Sequence, residues 1–295
     1  MSDLTRPVAP LAPAQGGPRL ALRRALGHPS FLAGAVLTGL VLLAGLVSLL
    51  WTPHSATEIQ VFNRLRPPSG THWLGTDMLG RDVASLLMVG ARNSLLVAVA
   101  AVTLGLSLGV FLGLLAAALK GWVEELILRL ADFGFAFPSI LLAVLIAAVF
   151  GPSTTNAVIA IGLFSVPVFV RVARAAAKAV WAREFVLAAR ACGKGRLRIT
   201  LEHILPNVAP TLIVQATIQF AIAILAEAAL SYLGLGTQPP QPSWGRMLNE
   251  AQTLIWQAPL LAVFPGLAIA VSVLGLNLLG DGLRDLLDPR LSERR

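Results

Sequence analysis

At 295 residues, 56% hydrophobic and only 13% charged, the chain is too poor in charge for an ordinary soluble domain, where about 25% is usual. Mean hydropathy is +0.76 and the apolar residues come in long blocks rather than periodic stripes, which places the chain in the membrane class. The net charge of +8 is read as loops that fix orientation rather than a nucleic-acid surface, and a single cysteine, Cys192, excludes an internal disulfide.

Residues 1–30 form a basic tail rich in Pro, Ala and Gly. Phe31–Leu50 follows without a charge, within a first span of residues 31–51. At about 1.5 Å per residue it crosses about 30 Å of hydrocarbon. It is too long for a signal-peptide core and lacks a small-residue cleavage site after it, so it reads as a retained span. An outer segment, 52–92, separates it from a core of residues 93–280. In that core Asn93–Leu119 is the second span. Phe133–Val170 is too long for one, and the turn residues Gly151-Pro152-Ser153 divide it into the third and fourth. The third is predicted to begin near Leu126, with Arg129 and Asp132 in its first turns. Val208–Ala226 is the fifth span and Leu254–Gly280 contains the sixth; residues 281–295 are a tail. The predicted class is all-α and polytopic, with about six transmembrane helices.

Orientation follows from Lys and Arg. With both ends in the cytoplasm, 18 of the 23 cations fall inside, among them Arg6, Arg19, Arg23, Arg24, Arg284, Arg290, Arg294 and Arg295. Only Arg64, Arg66, Arg81, Arg92 and Arg246 fall outside, a bias that an odd number of spans would spoil. Trp51, Trp73, Trp244 and Trp256 lie at or beyond the outer boundary, as interface anchors do. The outer segments Trp51–Arg92 and Ser231–Pro259 are long enough for a task of their own.

The inner segment 171–206 stands out. Glu184 suits the first turn of a short helix, and Phe185, Ala188, Ala189 and Cys192 share one face at i, i+3, i+4 and i+7. Gly193 and Gly195 can end that helix. A second, with Leu197, Leu201, Ile204 and Leu205 on its apolar side, is stopped by Pro206. Three readings stand: a basic loop that fixes topology, a helix–turn–helix on DNA, and a docking element for a cytoplasmic partner. Tethering between two spans disfavours DNA. The small pair Ala188-Ala189 permits close approach of another surface.

Leu187-Ala188-Ala189, Gly193 and Leu205-Pro206 stand in the register of the cytoplasmic loop shared by bacterial ABC importer permeases, which the segment resembles. That pattern has Glu where this chain has Leu187 and Ile where it has His203; Glu184 lies one turn earlier. Leu74-Gly75-Thr76-Asp77-Met78-Leu79-Gly80-Arg81-Asp82, then Gly90-Ala91-Arg92-Asn93-Ser94-Leu95, resemble the C-type permeases for dipeptides, oligopeptides and nickel. Ser85-Leu86 departs from the usual Ser-Arg. Leu230-Ser231-Tyr232-Leu233-Gly234-Leu235-Gly236 and the tail Gly280–Arg290 match as well, so the resemblance spans roughly residues 70–290.

The resemblance implies a type I ABC importer permease fold in a bacterial cell membrane. It implies a heterodimer with a second permease subunit, two cytoplasmic ATPases carrying ATP and Mg, and an extracytoplasmic substrate-binding protein. Glu184, Leu187, Ala188, Ala189, Gly193, Leu205 and Pro206 would then meet the ATPase. Asp77, Arg81 and Asp82 either contact the binding protein or pair with each other. Peptide is the first expectation for the cargo, as the commonest theme of that family, with nickel and glutathione as alternatives. The residues support such a division of labour. Gly193-Lys194-Gly195 lacks the remaining parts of a phosphate-binding loop, and no cofactor, His/Cys metal cluster or catalytic triad is legible.

Glu227 is an acid within an apolar run, expected near the outer interface in a structural or gating role, with a substrate contact in the pathway as the alternative. Gln215 and Gln219 share a helix face and line a pathway or bond a neighbouring helix. Arg171, Arg174 and Lys178 form a stripe that anionic headgroups explain. The rival class, a self-contained channel or ion-coupled carrier, calls for inverted repeats and mid-bilayer acids, which the chain does not show.

Overall fold

The computed structural model describes residues 28–136 and 138–287. Arg6, Arg19, Arg23, Arg24, Arg290, Arg294 and Arg295, and the end of the tail motif from Asp288, lie outside the described residues. The described residues form ten α-helices: α1 (Pro29–Val47), α2 (Val83–Leu119), α3 (Trp122–Ala136), α4 (Ser139–Phe150), α5 (Thr154–Trp181), α6 (Glu184–Ala191), α7 (Arg196–Ile199), α8 (Leu205–Tyr232), α9 (Trp244–Ala251) and α10 (Leu260–Leu287). A π-helical turn, Thr200–Ile204, joins α7 to α8, so that Arg196–Tyr232 runs on as one rod. Among the described residues the β structure is an isolated bridge between Thr76 and Asp82.

α1, α2, α5, α7–α8 and α10 are long and apolar enough to span a bilayer, and α3 with α4 passes the same test as a bent pair, which gives five spans, or six if the pair crosses as one. Three details differ from the expected six. α2 starts at Val83, ten residues before Asn93, because the carboxylate of Asp82 accepts the Ser85 N–H and caps it there. Arg92 sits inside the helix: a cap, not a charge, decides where a helix begins. The third apolar segment is not one continuous helix: Pro138, which lacks a backbone donor, stands at the break, and α3 and α4 meet at 84°. Nor does Pro206 stop a helix. It occupies the second position of α8, after a π turn in which the Leu205 N–H donates to Thr200 O. The Asn207 side-chain amide also donates to His203 O at 2.7 Å just after the proline.

α2 and α5 form the centre. Gly105, Gly109 and Gly113 recur every fourth residue along α2 and let α5 approach its backbone. A Cβ on Gly105 would lie 2.5 Å from Ser165 Cβ, one on Gly109 2.5 Å from Phe169 Cβ, and one on Gly113 2.7 Å from Val170 O. Gly162 on α5 answers them, its missing Cβ facing Leu104 and Ala101 O. Apolar helices in lipid gain little by hiding from each other, so this backbone proximity supplies the dispersion contacts that hold the pair. α1 leans on α10 in the same way, with Gly34 against the Leu278–Leu279 backbone and Gly275 against Leu37 and Thr38. Its outer side, with Val36, Leu40, Leu43 and Leu46, is exposed.

Gly109→Leu is expected to lower the apparent Tm of the detergent-purified protein by several degrees. Backbone atoms of α5 cannot make way for the new side chain, and overpacking costs about 1–3 kcal/mol. Gly39→Leu is the control: nothing lies within 4 Å of a Cβ there, and the thermal unfolding curve should not move.

Candidate functional site

α5 ends at Trp181, and the chain turns through α6 and α7 before re-entering as α8. α6 ends in a Schellman motif. Gly193 takes φ +79°, its N–H donates to Arg190 O at 2.9 Å, and the Lys194 N–H donates to Ala189 O at 3.2 Å. The expected helix end at Gly193 is therefore met. The face packed against the spans is not the apolar stripe read from the sequence. Val186 and Ala189 of α6, with Ile199 and Ile204, are buried against Leu114 and Ala117 of α2, Ala173, Ala177 and Trp181 of α5, and Val208 and Leu212 of α8. Phe185, Leu187, Ala188, Cys192, Leu197 and Leu201 are exposed instead. The stripe facing the spans is set one residue, or about 100° of turn, away from the apolar stripe in the sequence. The loop thus keeps one apolar face for its own core and presents a second outward.

Polar contacts hold this hairpin closed. Lys194 Nζ reaches Glu202 Oε2 at 2.6 Å and His203 Nε2 at 3.1 Å, and Arg198 Nε donates to Glu202 Oε1 at 2.5 Å. His203, which stands where the loop pattern has Ile, lies edge-on to Phe185 with ring centroids 6.3 Å apart. Arg190 caps the Trp181 ring at 5.0 Å. Glu184 is exposed in the first turn of α6. Leu205 is half-buried and, with Pro206, begins α8.

At the other end of the molecule Asp77, Arg81 and Asp82 are all buried. Asp77 Oδ1 accepts the N–H groups of Leu79 and Arg81, both at 2.8 Å, and Asp77 Oδ2 accepts Arg81 Nε at 2.6 Å. Arg81 Nη2 donates to Glu250 Oε2 at 2.6 Å, and Arg246 Nε lies 2.9 Å from Glu250 Oε1. Burial by itself lowers the Arg81 pKa; the charges of Asp77 and Glu250 and their hydrogen bonds outweigh it and raise it. Gly80 is obligatory in this turn: its φ is +76° and a Cβ would lie 1.9 Å from Gln60 O. Asp77 and Arg81 therefore pair with each other, and Asp82 turns away to Ser85 and His72.

α9 is locked onto this turn. Trp244 is 2% exposed, its Nε1 donates to Leu87 O at 3.1 Å, and its ring lies over Gly90. Trp244 is thus not an interface anchor; the indole fills the space that Gly90 leaves. Trp51, Trp73 and Trp256 are exposed, as anchors are. Glu250→Ala is expected to leave the buried Arg81 with one acid fewer, at a cost on the order of 2 kcal/mol. Hydrogen–deuterium exchange of the purified protein should rise in residues 76–82 and 244–251 and stay unchanged in α1.

Inside α8, Glu227 is 1% exposed. Its Oε1 accepts from Ser231 Oγ at 2.7 Å and Thr237 Oγ1 at 3.4 Å, while Oε2 has no partner. Ser231 also accepts the Thr237 N–H, so Glu227 ties α8 to the outer segment that follows it. Gln219 is buried with an unpartnered Oε1, and Gln215 is half-buried. The cationic stripe on α5 meets protein acids rather than standing free for lipid. Arg174 and Lys178 bond Glu124 of α3, Arg171 bonds Asp132, and Arg171 also covers the Phe135 ring at 4.4 Å.

His54, His72 and Asp82 converge in space, with one ligand atom from each lying within 4.8 Å of the others, a grouping that was not legible in the sequence. His72 lies eighteen positions after His54, and Asp82 ten positions after His72. No linear motif announces the group, which forms only when the outer segment folds over the start of α2.

Comparison with known proteins gives these features a context. The family described as "Binding-protein-dependent transport system inner membrane component" matches residues 109–293. The dipeptide transport system permease protein DppC of Alkalihalophilus pseudofirmus is 47% identical over 87% of this chain and 84% of its own length. The glutathione transport system permease protein GsiD of Pectobacterium atrosepticum is 42% identical over 87% of both chains. The di/tripeptide transport system permease protein DppC of Pseudomonas aeruginosa is 50% identical over 74% of this chain and 72% of its own. The inward-facing structure of the MetNI methionine ABC transporter matches 69% of this chain and 97% of that chain, with TM-score 0.58 and 18% identity, a likeness of fold. The chain belongs to the family of inner-membrane components of binding-protein-dependent transport systems.

Proposed function

We propose that this ABC importer permease carries di- or oligopeptides into the cytoplasm as one half of a heterodimer with a second permease subunit. Two cytoplasmic ATPases, holding ATP and Mg, drive it, and an extracytoplasmic binding protein delivers the cargo. The observation that carries the reading is the two-faced loop at α6 and α7. One face is buried in the ends of α2, α5 and α8; the other exposes Phe185, Leu187, Ala188 and Leu197. A partner that grips the exposed face moves the spans through the buried one. Leu187, in place of the pattern's Glu, makes that grip apolar, and Glu184 is the exposed acid on the same helix. Relatives named for dipeptides, di/tripeptides and glutathione support a small peptide as cargo.

Binding-protein docking falls to the outer surface of residues 48–82 and the segment around α9, with Asp77, Arg81 and Asp82 shaping that surface from beneath. Gln215, Gln219 and Glu227 border the route between; Gln219 and Glu227 are buried within this chain, each with one unpartnered oxygen, and half-buried Gln215 is the more accessible of the three.

Both ends are assigned to the cytoplasm by the cation bias. In a Cys192→Ser background, a cysteine at exposed Ser69 should react with an impermeant thiol reagent applied to intact cells, and one at exposed Gly195 should not. Labelling of Gly195→Cys from outside overturns the orientation.

Coupling is tested by Ala188→Arg and Gly193→Asp. Ala188 is exposed, and a Cβ at Gly193 meets nothing within 4 Å, so neither change disturbs the packed core. Asp at φ +79° adds a strain of about 1–2 kcal/mol. Both variants should reach the membrane at normal abundance, yet lose uptake of a labelled dipeptide and co-purification of the ATPases. Normal uptake by both refutes the docking role. Uptake without any ATPase in the complex favours a self-contained carrier.

A further inference from the structure

We infer that His54, His72 and Asp82 form a binding site for a divalent transition metal of the zinc class, on the outer segment between α1 and α2. Two imidazoles and a carboxylate are the donors that borderline cations such as Zn²⁺ take. The spacing fits. His72 Nδ1 lies 3.0 Å and His54 Nδ1 3.7 Å from the same oxygen, Asp82 Oδ1. Ligands about 2.1 Å from a tetrahedral ion stand about 3.4 Å from one another. The two imidazoles lie face to face at 4.5 Å between centroids, tilted by 34°.

The plain alternative is a carboxylate that accepts one hydrogen bond from His72. It accounts for His72 and leaves His54 unexplained. His54 Nδ1 is buried and has no hydrogen-bond partner, and 3.7 Å is too long for one. An ion between the three groups gives that nitrogen a bond and uses the free lone pair of Asp82 Oδ1.

The donors are also held in place before any ion arrives. Asp82 is fixed through its other oxygen, which accepts the Ser85 N–H at 2.9 Å and the Ser85 hydroxyl at 2.8 Å. That same hydroxyl accepts the His54 N–H at 3.0 Å. Ser69 Oγ accepts the His72 N–H at 3.1 Å, and the Ser69 N–H donates to His72 O. Hydrogen bonds that orient ligands from behind are what metal sites rely on. The His72 and Asp82 side chains are 9% and 1% exposed and that of His54 40%, so the fourth position opens to water on the His54 side. A bound ion would staple the chain leaving α1 to the cap of α2.

The test uses the full-length protein, purified in detergent without a histidine tag and stripped with chelator. Titration with Zn²⁺ alone should give one saturable site per chain, and Co²⁺ should give the visible absorption of a low-coordinate site. His54→Ala and His72→Ala should each weaken Zn²⁺ binding by more than about tenfold. His203→Ala, in the π turn between α7 and α8, should leave it unchanged. Zn²⁺ should also protect residues 48–82 from proteolysis in the wild-type protein but not in His54→Ala. His54→Ala is the decisive variant, because its side chain makes no hydrogen bond in the fold; Asp82→Ala would also remove a helix cap. Absence of saturable Zn²⁺ binding, or equal binding by the wild type and both histidine variants, overturns the site. Peptide transport enters none of these measurements, so the site stands or falls independently of the cargo.

Discussion

Helices surrounded by lipid cannot rely on the hydrophobic effect to find each other, because lipid tails are as apolar as leucine. What separates a packed pair from two independent helices is how closely their backbones approach. In this protein that approach is made by the glycines of α2 against α5. Every other element is placed relative to that pair. α1 leans on α2 and α10, α8 crosses both, and α9 is seated over Gly90 at the outer end of α2. A large residue on the glycine ridge would change the geometry at both ends at once.

The inner end shows why this matters for function. Val186, Ala189, Ile199 and Ile204 are joined to the last turns of α2 and α5 and the first turns of α8 in one cluster. Closely packed interiors have little free volume to absorb displacement. In the proposed coupling role, a push on the outer face of α6 would therefore be passed to three spans rather than dissipated in the loop. The Schellman turn at Gly193 and the ion pairs around Glu202 keep α6 and α7 a rigid hairpin, so the loop acts as a solid handle.

The outer end is built on a different principle. Asp77, Arg81 and Glu250 are charges in a largely dry turn, where each on its own is costly; together they satisfy one another. Burial alone pushes the Asp82 carboxyl up. Hydrogen bonds from the Ser85 N–H, His72 and the Ser85 hydroxyl, with the charge of His54, outweigh it and hold the pKa below the usual carboxylate range. The result is a stiff plate that joins the start of α2 to α9 and to the end of α8, where Glu227 binds Ser231 and Thr237.

The sequence by itself determined the membrane class, the order of the apolar segments, the position in the chain of the loop before α8 and the glycine that ends its first helix. These are local properties: uncharged length, turn residues and a single backbone conformation. It also carried the glycine ridge, a repeat every fourth residue that only its partner helix makes meaningful. Tertiary structure decided the rest. Which stripe of α6 is buried depended on the direction from which α2, α5 and α8 meet it, and the apolar stripe at Phe185, Ala188 and Cys192 was left outside. Trp244 became a core residue because Gly90 lies 154 positions earlier in the chain and directly beneath it. His54, His72 and Asp82 became a cluster because a helix cap and a long loop meet in space. Periodicity reports how a segment is divided between two environments; it does not say which environment lies on which side. That is settled by contacts between residues far apart in the chain.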